Sequence, residues 1–170
     1  DNIHLINLGG AEANVEIFIG GISRVQFVLL AGQATYKNFP GVIGGPVRVV
    51  SDQPVRVTQR IVGWNGFKEL LSVPTELFCC QWYYNWYDFK STQCDNIHFL
   101  NPGTSSTKIE VYIAGQLKHA ITLDPGQAGY VKCPGLCAGP VSVVSEQPIM
   151  TTQRIVGWSS FEETIGIQWA

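Results

Sequence analysis

Apolar and polar residues alternate in short runs along the chain. Val15, Ile17 and Ile19 occupy alternate positions around Glu16 and Phe18, and Gly20-Gly21 follows. Val25, Phe27 and Leu29 repeat the pattern around Gln26 and Val28, and Ala31-Gly32 closes that run. Ile3 and Leu5 open the chain in the same way, Val47 and Val49 continue it, and Val55, Val57 and Ile61 follow Ser51-Asp52-Gln53-Pro54. A period of two, broken by turn residues every eight to twelve positions or so, predicts half-buried strands joined by tight turns. The architecture expected from that pattern is an antiparallel sandwich or barrel. No segment beyond about ten residues keeps a 3.6-residue period, so no long helix is predicted.

The pattern occurs twice. Asp1-Asn2-Ile3-His4 returns as Asp95-Asn96-Ile97-His98, and a shift of 94 positions keeps the match in register with no gap. The run GGPVRVVSDQPVRVTQRIVGWNGFKE at 44–69 returns as AGPVSVVSEQPIMTTQRIVGWSSFEE at 138–163. Of 76 overlapping positions, 33 are identical, so the halves arose by duplication of a unit of small-domain size. The expected fold is all-β: two tandem immunoglobulin-like antiparallel β-sandwich domains, 1–76 and 77–170.

Residues 77–94, LFCCQWYYNWYDFKSTQC, are unlike either copy and rich in aromatics. Trp82, Tyr84, Trp86 and Tyr87 make the segment too apolar for a flexible linker. It reads either as the first strand of the second domain, with its aromatics in the core, or as an exposed platform for sugar rings or a partner chain. Asp1 matches Asp95, so the first copy has no counterpart of this lead-in within residues 1–170. If the lead-in is a core strand, the first domain is one strand short and exposes an edge and an apolar groove. The fillers expected are upstream residues of a longer protein or a strand from a neighbouring subunit, by β-strand addition.

Five cysteines, Cys79, Cys80, Cys94, Cys133 and Cys137, all lie outside the first copy. Cys133 and Cys137 replace Phe39 and Ile43 together, as a local disulfide would require, and Cys94 has Cys79 or Cys80 as a possible mate. Free buried thiols are the alternative. A Cys-x3-Cys spacing with His119 nearby is not a zinc pattern.

Composition narrows the function. Charged residues make up 14% of the chain and the net charge is -2, which gives no electrostatic case for nucleic acid or an anionic membrane. No apolar run approaches the roughly 20 residues of a spanning helix. Residue 1 already lies inside the repeat, the expectation for a mature or excised chain. No nucleophile elbow, HExxH, P-loop or dinucleotide fingerprint occurs, so neither an enzyme nor a cofactor is expected. His4 and His98 recur among strand apolars and read as hydrogen-bonded structural histidines. Arg60 and Glu69, with Arg154 and Glu163, read as a cross-strand ion pair. Trp64 and Trp158 follow Gly63 and Gly157 and read as caps on the core, or as sugar-stacking surface residues.

The order Trp86-Tyr87-Asp88, Asn96-Ile97-His98, Asn101-Pro102-Gly103, Gly139-Pro140-Val141, Gln153-Arg154-Ile155-Val156 and Phe161-Glu162-Glu163 resembles a β-sandwich repeat found in tandem in secreted bacterial cell-surface proteins. The resemblance spans nearly all of both copies and implies a spacer, adhesion or assembly role outside the cell. The function expected is an extracellular structural or assembly module, a stalk repeat or filament subunit joined by strand complementation between subunits. Its partners would be copies of itself or flanking domains. The alternative is a carbohydrate-binding module using exposed tryptophan and tyrosine, with a polysaccharide as partner.

Overall fold

Alternation becomes layering in the computed structural model, which describes residues 1–63 and 66–168. Val15, Ile17 and Ile19 are buried, while Glu16 and Phe18 between them are half-buried. The chain divides into two compact units, Asp1–Ser72 and Val73–Ala170. Among the described residues there is no α-helix, and every strand pairing is antiparallel.

The first unit holds β1 (Asn2–Asn7), β2 (Ala13–Ile19), β3 (Ile22–Leu29), β4 (Ala34–Asn38), β5 (Val47–Ser51), β6 (Val55–Gly63) and β7 (Gly66–Leu71). They form two sheets, β4-β1-β6-β7 and β3-β2-β5. Ile3, Leu5 and Val57 from one sheet meet Val15, Ile17 and Leu29 from the other in one buried cluster. The hairpin between β2 and β3 turns on Gly20 and Gly21, at φ 61° and 77°. A two-residue turn with both central residues left-handed matches the twist of the flanking strands, and glycine adopts it without a Cβ clash.

The second unit holds β8 (Cys79–Tyr84), β9 (Tyr87–Asp88), β10 (Cys94–Leu100), β11 (Thr107–Ile113), β12 (Gln116–Leu123), β13 (Ala128–Lys132), β14 (Cys137–Ala138), β15 (Val141–Val156), β16 (Phe161–Ile165) and β17 (Ile167–Gln168). β10 to β13 pair as β1 to β4 do, with the same one-residue irregularity at Val111/Tyr112 as at Ile17/Phe18. The long β15 serves both layers. Its first half lies between β11 and β8, and its second half between β10 and β16. In the first unit the equivalent run is broken at residues 52–54 into β5 and β6. β17 pairs with the outer edge of β8.

A buried asparagine staples each unit. The Asn7 side-chain amide donates to the carbonyls of Ala11 and Leu29 at 2.8 and 2.9 Å, and its Oδ1 accepts the Gly9 N–H at 2.8 Å. Asn101 repeats the set with Ser105, Leu123 and Gly103 at 2.9, 3.0 and 2.9 Å. Each closes the corner after the first repeat strand, where buried backbone groups lack a ladder partner.

The recurrent histidines stack rather than hydrogen-bond. His4 lies on Tyr36 across β1 and β4, with ring centroids 5.7 Å apart, and His98 lies on Tyr130 at 5.5 Å. Nε2 of each is buried without a hydrogen-bond partner, so the expected hydrogen-bonded histidine is replaced by an aromatic contact. Burial, helped by the nearby Arg154 guanidinium, holds the His98 imidazole below its ordinary pKa against the opposing pull of Glu163. Folding therefore favours neutral His98. Its share of stability is present above the unfolded histidine value of about 6.5 and is lost as pH falls through the lower folded value. Second-unit stability, read from urea midpoints, should fall as pH drops below about 6.5, and His98→Phe should flatten that dependence.

Candidate functional site

The aromatic lead-in of the second unit is core. β8 lies along the first half of β15, with Trp82 opposite Val143 and Tyr84 opposite Val141. Trp82 is 1% exposed, and Tyr84 and Tyr87 are also buried. A buried ring with a polar atom needs a partner, and each has one. The Trp82 indole N–H is shared between the carbonyls of Cys79 and Ile149 at 3.1 and 3.0 Å. The Tyr84 hydroxyl meets the Thr151 hydroxyl, and the Tyr87 hydroxyl donates to the Asp95 carbonyl at 2.5 Å while accepting the Cys133 N–H at 2.7 Å. Burial pushes both phenols up in pKa, so they stay protonated as donors.

A second clamp holds the backbone of the lead-in. Asp95 is fully buried and its carboxylate accepts the Asp88 N–H at 2.7 Å. The Gln153 amide donates to both Asp95 oxygens at 2.9 Å and to the Trp86 carbonyl at 2.8 Å. Burial pushes the Asp95 carboxyl up, and the Asp88 and Gln153 hydrogen bonds oppose that shift. Gly139 gives clearance: a Cβ there would stand 2.5 Å from the Asn85 carbonyl and 2.7 Å from the Trp86 ring.

The first unit has the receiving half of this arrangement. β5 pairs with β2 and, among the described residues, with no other strand. The Pro46 carbonyl accepts the Gly20 N–H on the β2 side at 3.0 Å. By the strand's two-residue period, Val47, Val49 and Ser51 then aim their N–H and C=O groups away from β2. Val47, Val49 and Val55 are only half-buried, whereas their mates Val141, Val143 and Ile149 are 0% exposed. Gln59 still reaches Asp1, at 3.2 Å, as Gln153 reaches Asp95. A Cβ on Gly45 would meet nothing within 4 Å. The site is therefore a strand edge with no partner among the described residues, above half-buried valines, with a polar pair at one end.

Other expected residues lie elsewhere. Trp86 is 53% exposed, and Trp64 lies outside the described residues. Trp158 is 80% exposed in the turn where Gly157 N–H meets the Ser160 carbonyl, so it does not cap the core. Arg60 and Glu69 face each other across β6 and β7 at 3.1 Å, and Arg154 and Glu163 across β15 and β16 at 2.5 Å. Glu163 also accepts from Thr152 at 2.8 Å. These pairs join neighbouring strands. Among the described residues no group of histidine, cysteine or acidic side chains is placed to hold a metal ion.

Cys79, Cys80, Cys94, Cys133 and Cys137 are all free in the structure, which gives the expected disulfides no support. Cys133 and Cys137 flank the turn closed by the Leu136 N–H and the Cys133 carbonyl. Cys133 packs against the core, as Phe39 does in the first unit, while Cys137 is exposed, as Ile43 is, so the pair straddles the turn. Cys79 lies opposite Ile149 and Cys94 opposite Val156, seven residues apart on β15. That is roughly 20 Å of strand, whereas a disulfide needs Cα atoms within about 7 Å. The Cys79 thiol instead donates to the Gln81 carbonyl at 3.0 Å and the Cys94 thiol to the Asn96 side chain at 2.9 Å. Burial pushes the thiols of Cys79 and Cys133 up in pKa.

Sequence reasoning passed over Asp95, Gln153 and Gly139 as parts of this site, although each is identical in both copies. The available signal was a buried-type position kept polar, or kept as glycine, in two otherwise diverged copies.

No family model matches the chain, and no curated protein matches it. Among solved structures, the chain is similar to the crystal structure of Thermotoga maritima 1070, at 14% identity and a TM-score of 0.46, over 55% of this chain and 97% of that one.

Three outcomes test these assignments. Asp95→Ala leaves the buried Gln153 amide and Asp88 N–H without their acceptor. It should lower second-unit stability by about 2–4 kcal/mol in urea unfolding followed by β10 amide exchange. Asp1→Ala, with no lead-in to hold, should leave the first-unit midpoint unchanged. Thiol titration without reductant should find five reactive groups after denaturation and Cys137 reacting first in the native chain. Fewer than five would restore the disulfide expectation.

Proposed function

We propose that the chain is an extracellular structural or assembly module, a stalk repeat or filament subunit, whose first unit is completed by a strand from outside residues 1–170. The reading rests on one observation: β5 keeps an unpaired edge and half-buried valines at the place where the twin unit seats β8. Strand addition satisfies such an edge by main-chain hydrogen bonds and such a groove by alternate side chains. The matched strand order and the 33 identities support reading the two units as immunoglobulin-like sandwiches derived by duplication. Low charge and the resemblance to tandem repeats of secreted bacterial surface proteins support an extracellular scaffold. The burial of Trp82, Tyr84 and Tyr87 removes three of the aromatics from which a sugar platform would be built.

Hydrogen exchange tests this reading. In the isolated chain the amides of Val47, Val49 and Ser51 should exchange quickly. In native material they should be protected by about a hundredfold or more, with electron microscopy showing extended particles. Full protection of those amides in the isolated monomer would mean the edge is already closed.

A further inference from the structure

We infer that the strand completing the first unit is an aromatic segment patterned as Trp-x-Phe-x-x-Tyr-Asp, antiparallel to β5 and contiguous with Asp1 in the longer polypeptide. This deepens the strand-acceptor reading and rests on it.

The second unit sets the register. Trp82 sits opposite Val143, and Tyr84 opposite Val141. Tyr87 and Asp88 follow, held by Asp95 and Gln153. Shifted by 94 positions, the acceptor positions in the first unit are Val49, Val47, Asp1 and Gln59. Val55 stands where Ile149 lends its carbonyl to the Trp82 indole, so a backbone acceptor is available at the same place in the first unit. Phe39 stands where Cys133 gives its backbone N–H to the Tyr87 hydroxyl, and a phenylalanine backbone supplies the same donor.

One position differs. The Tyr84 hydroxyl meets Thr151, and the first unit has Val57 there, which offers no hydroxyl. The Tyr84 hydroxyl also bonds the backbone of Gly166, whereas Ser72, at the matching place, spends its N–H on the Val57 carbonyl at 3.0 Å. A phenol at the second aromatic position would be buried without these partners, so the groove selects phenylalanine.

Gly45 adds an independent mark. In the second unit the matching glycine is required because the lead-in backbone passes 2.5 Å from where its Cβ would be. Gly45 has open space on that side. The clearance fits a strand arriving by the same path.

The source follows from where such a strand ends. Tyr87 and Asp88 touch Asp95 only eight and seven residues downstream, so the C-terminal end of the lead-in comes to rest at the head of the next strand. In the first unit that place is Asp1. A connection of a few residues makes seating intramolecular, at an effective concentration no free peptide reaches.

The experiment grafts a second copy of residues 77–94 onto the N-terminus of the full chain and reads amide exchange at Val47, Val49 and Ser51. The graft should slow exchange by about a hundredfold while the protein stays monomeric, and phenylalanine at the position of Tyr84 should add about tenfold. Gly45→Val should be silent in the ungrafted chain and abolish protection in the grafted one. Alanine at the three core aromatics of the graft should also abolish it. A graft of alternating valine and threonine that protects equally well would overturn the aromatic pattern and leave the strand-acceptor reading standing. Protection by neither graft would overturn both. Protection by the free 77–94 peptide at micromolar concentration equal to that of the fused graft would overturn the contiguous source.

Discussion

An open strand edge must find a partner or stay in water, because peptide groups buried without partners are costly. Leaving one edge in water keeps water next to the side chains beneath it, and burying it unpaired strands peptide groups. The ladder between β8 and the first half of β15 meets this constraint in the second unit. It covers Val141, Val143 and Ile149 and lets Trp82 and Tyr84 complete the core with their polar atoms satisfied. The first unit has the same strands up to that point and no such ladder, and its corresponding valines stay partly wet. At roughly 25 cal/mol for each square ångström of apolar surface, finishing the burial of a few valines and three aromatics is a large fraction of the stability of a small domain.

The polar residues of the clamp follow from the same constraint. Burial raises the Asp95 carboxyl above its ordinary value, and the hydrogen bonds its carboxylate accepts from Gln153 and the Asp88 N–H offset part of that cost. A buried carboxylate without those partners would be costly. The first unit leaves Asp1 exposed and loosely paired with Gln59, so the same pair is tolerated there in water. One polar constellation is thus compatible with both an empty and a filled edge.

Much of the fold was legible because strand burial writes itself as alternation. Ile3, Leu5, Val15, Ile17 and Ile19 face inward as their spacing requires. The internal repeat at a spacing of 94 positions made the unit size legible. The aromatic lead-in remained ambiguous, since rings suit a core and a platform equally, and only the register of β8 against β15 decides between them. The state of the cysteines was not legible, because sequence proximity says nothing about which side of a turn a side chain takes. Cys133 and Cys137 are close in sequence but differ in burial as Phe39 and Ile43 do. The role of Gly139 was invisible because a glycine beside proline reads as a turn residue, and its clearance for Asn85 and Trp86 depends on residues far away in the chain.

The short β17 deserves a mechanical reading. It lies antiparallel beside β8, Ile167 opposite Tyr83 and Gln168 opposite Trp82, so the polypeptide enters and leaves the second unit side by side at one end. A unit built this way can be spliced into a chain or removed from it without rerouting its neighbours. Tension applied through the chain would load the two β17 rungs and the Cys79 end of the ladder between β8 and β15 together, because both lie where the polypeptide enters and leaves.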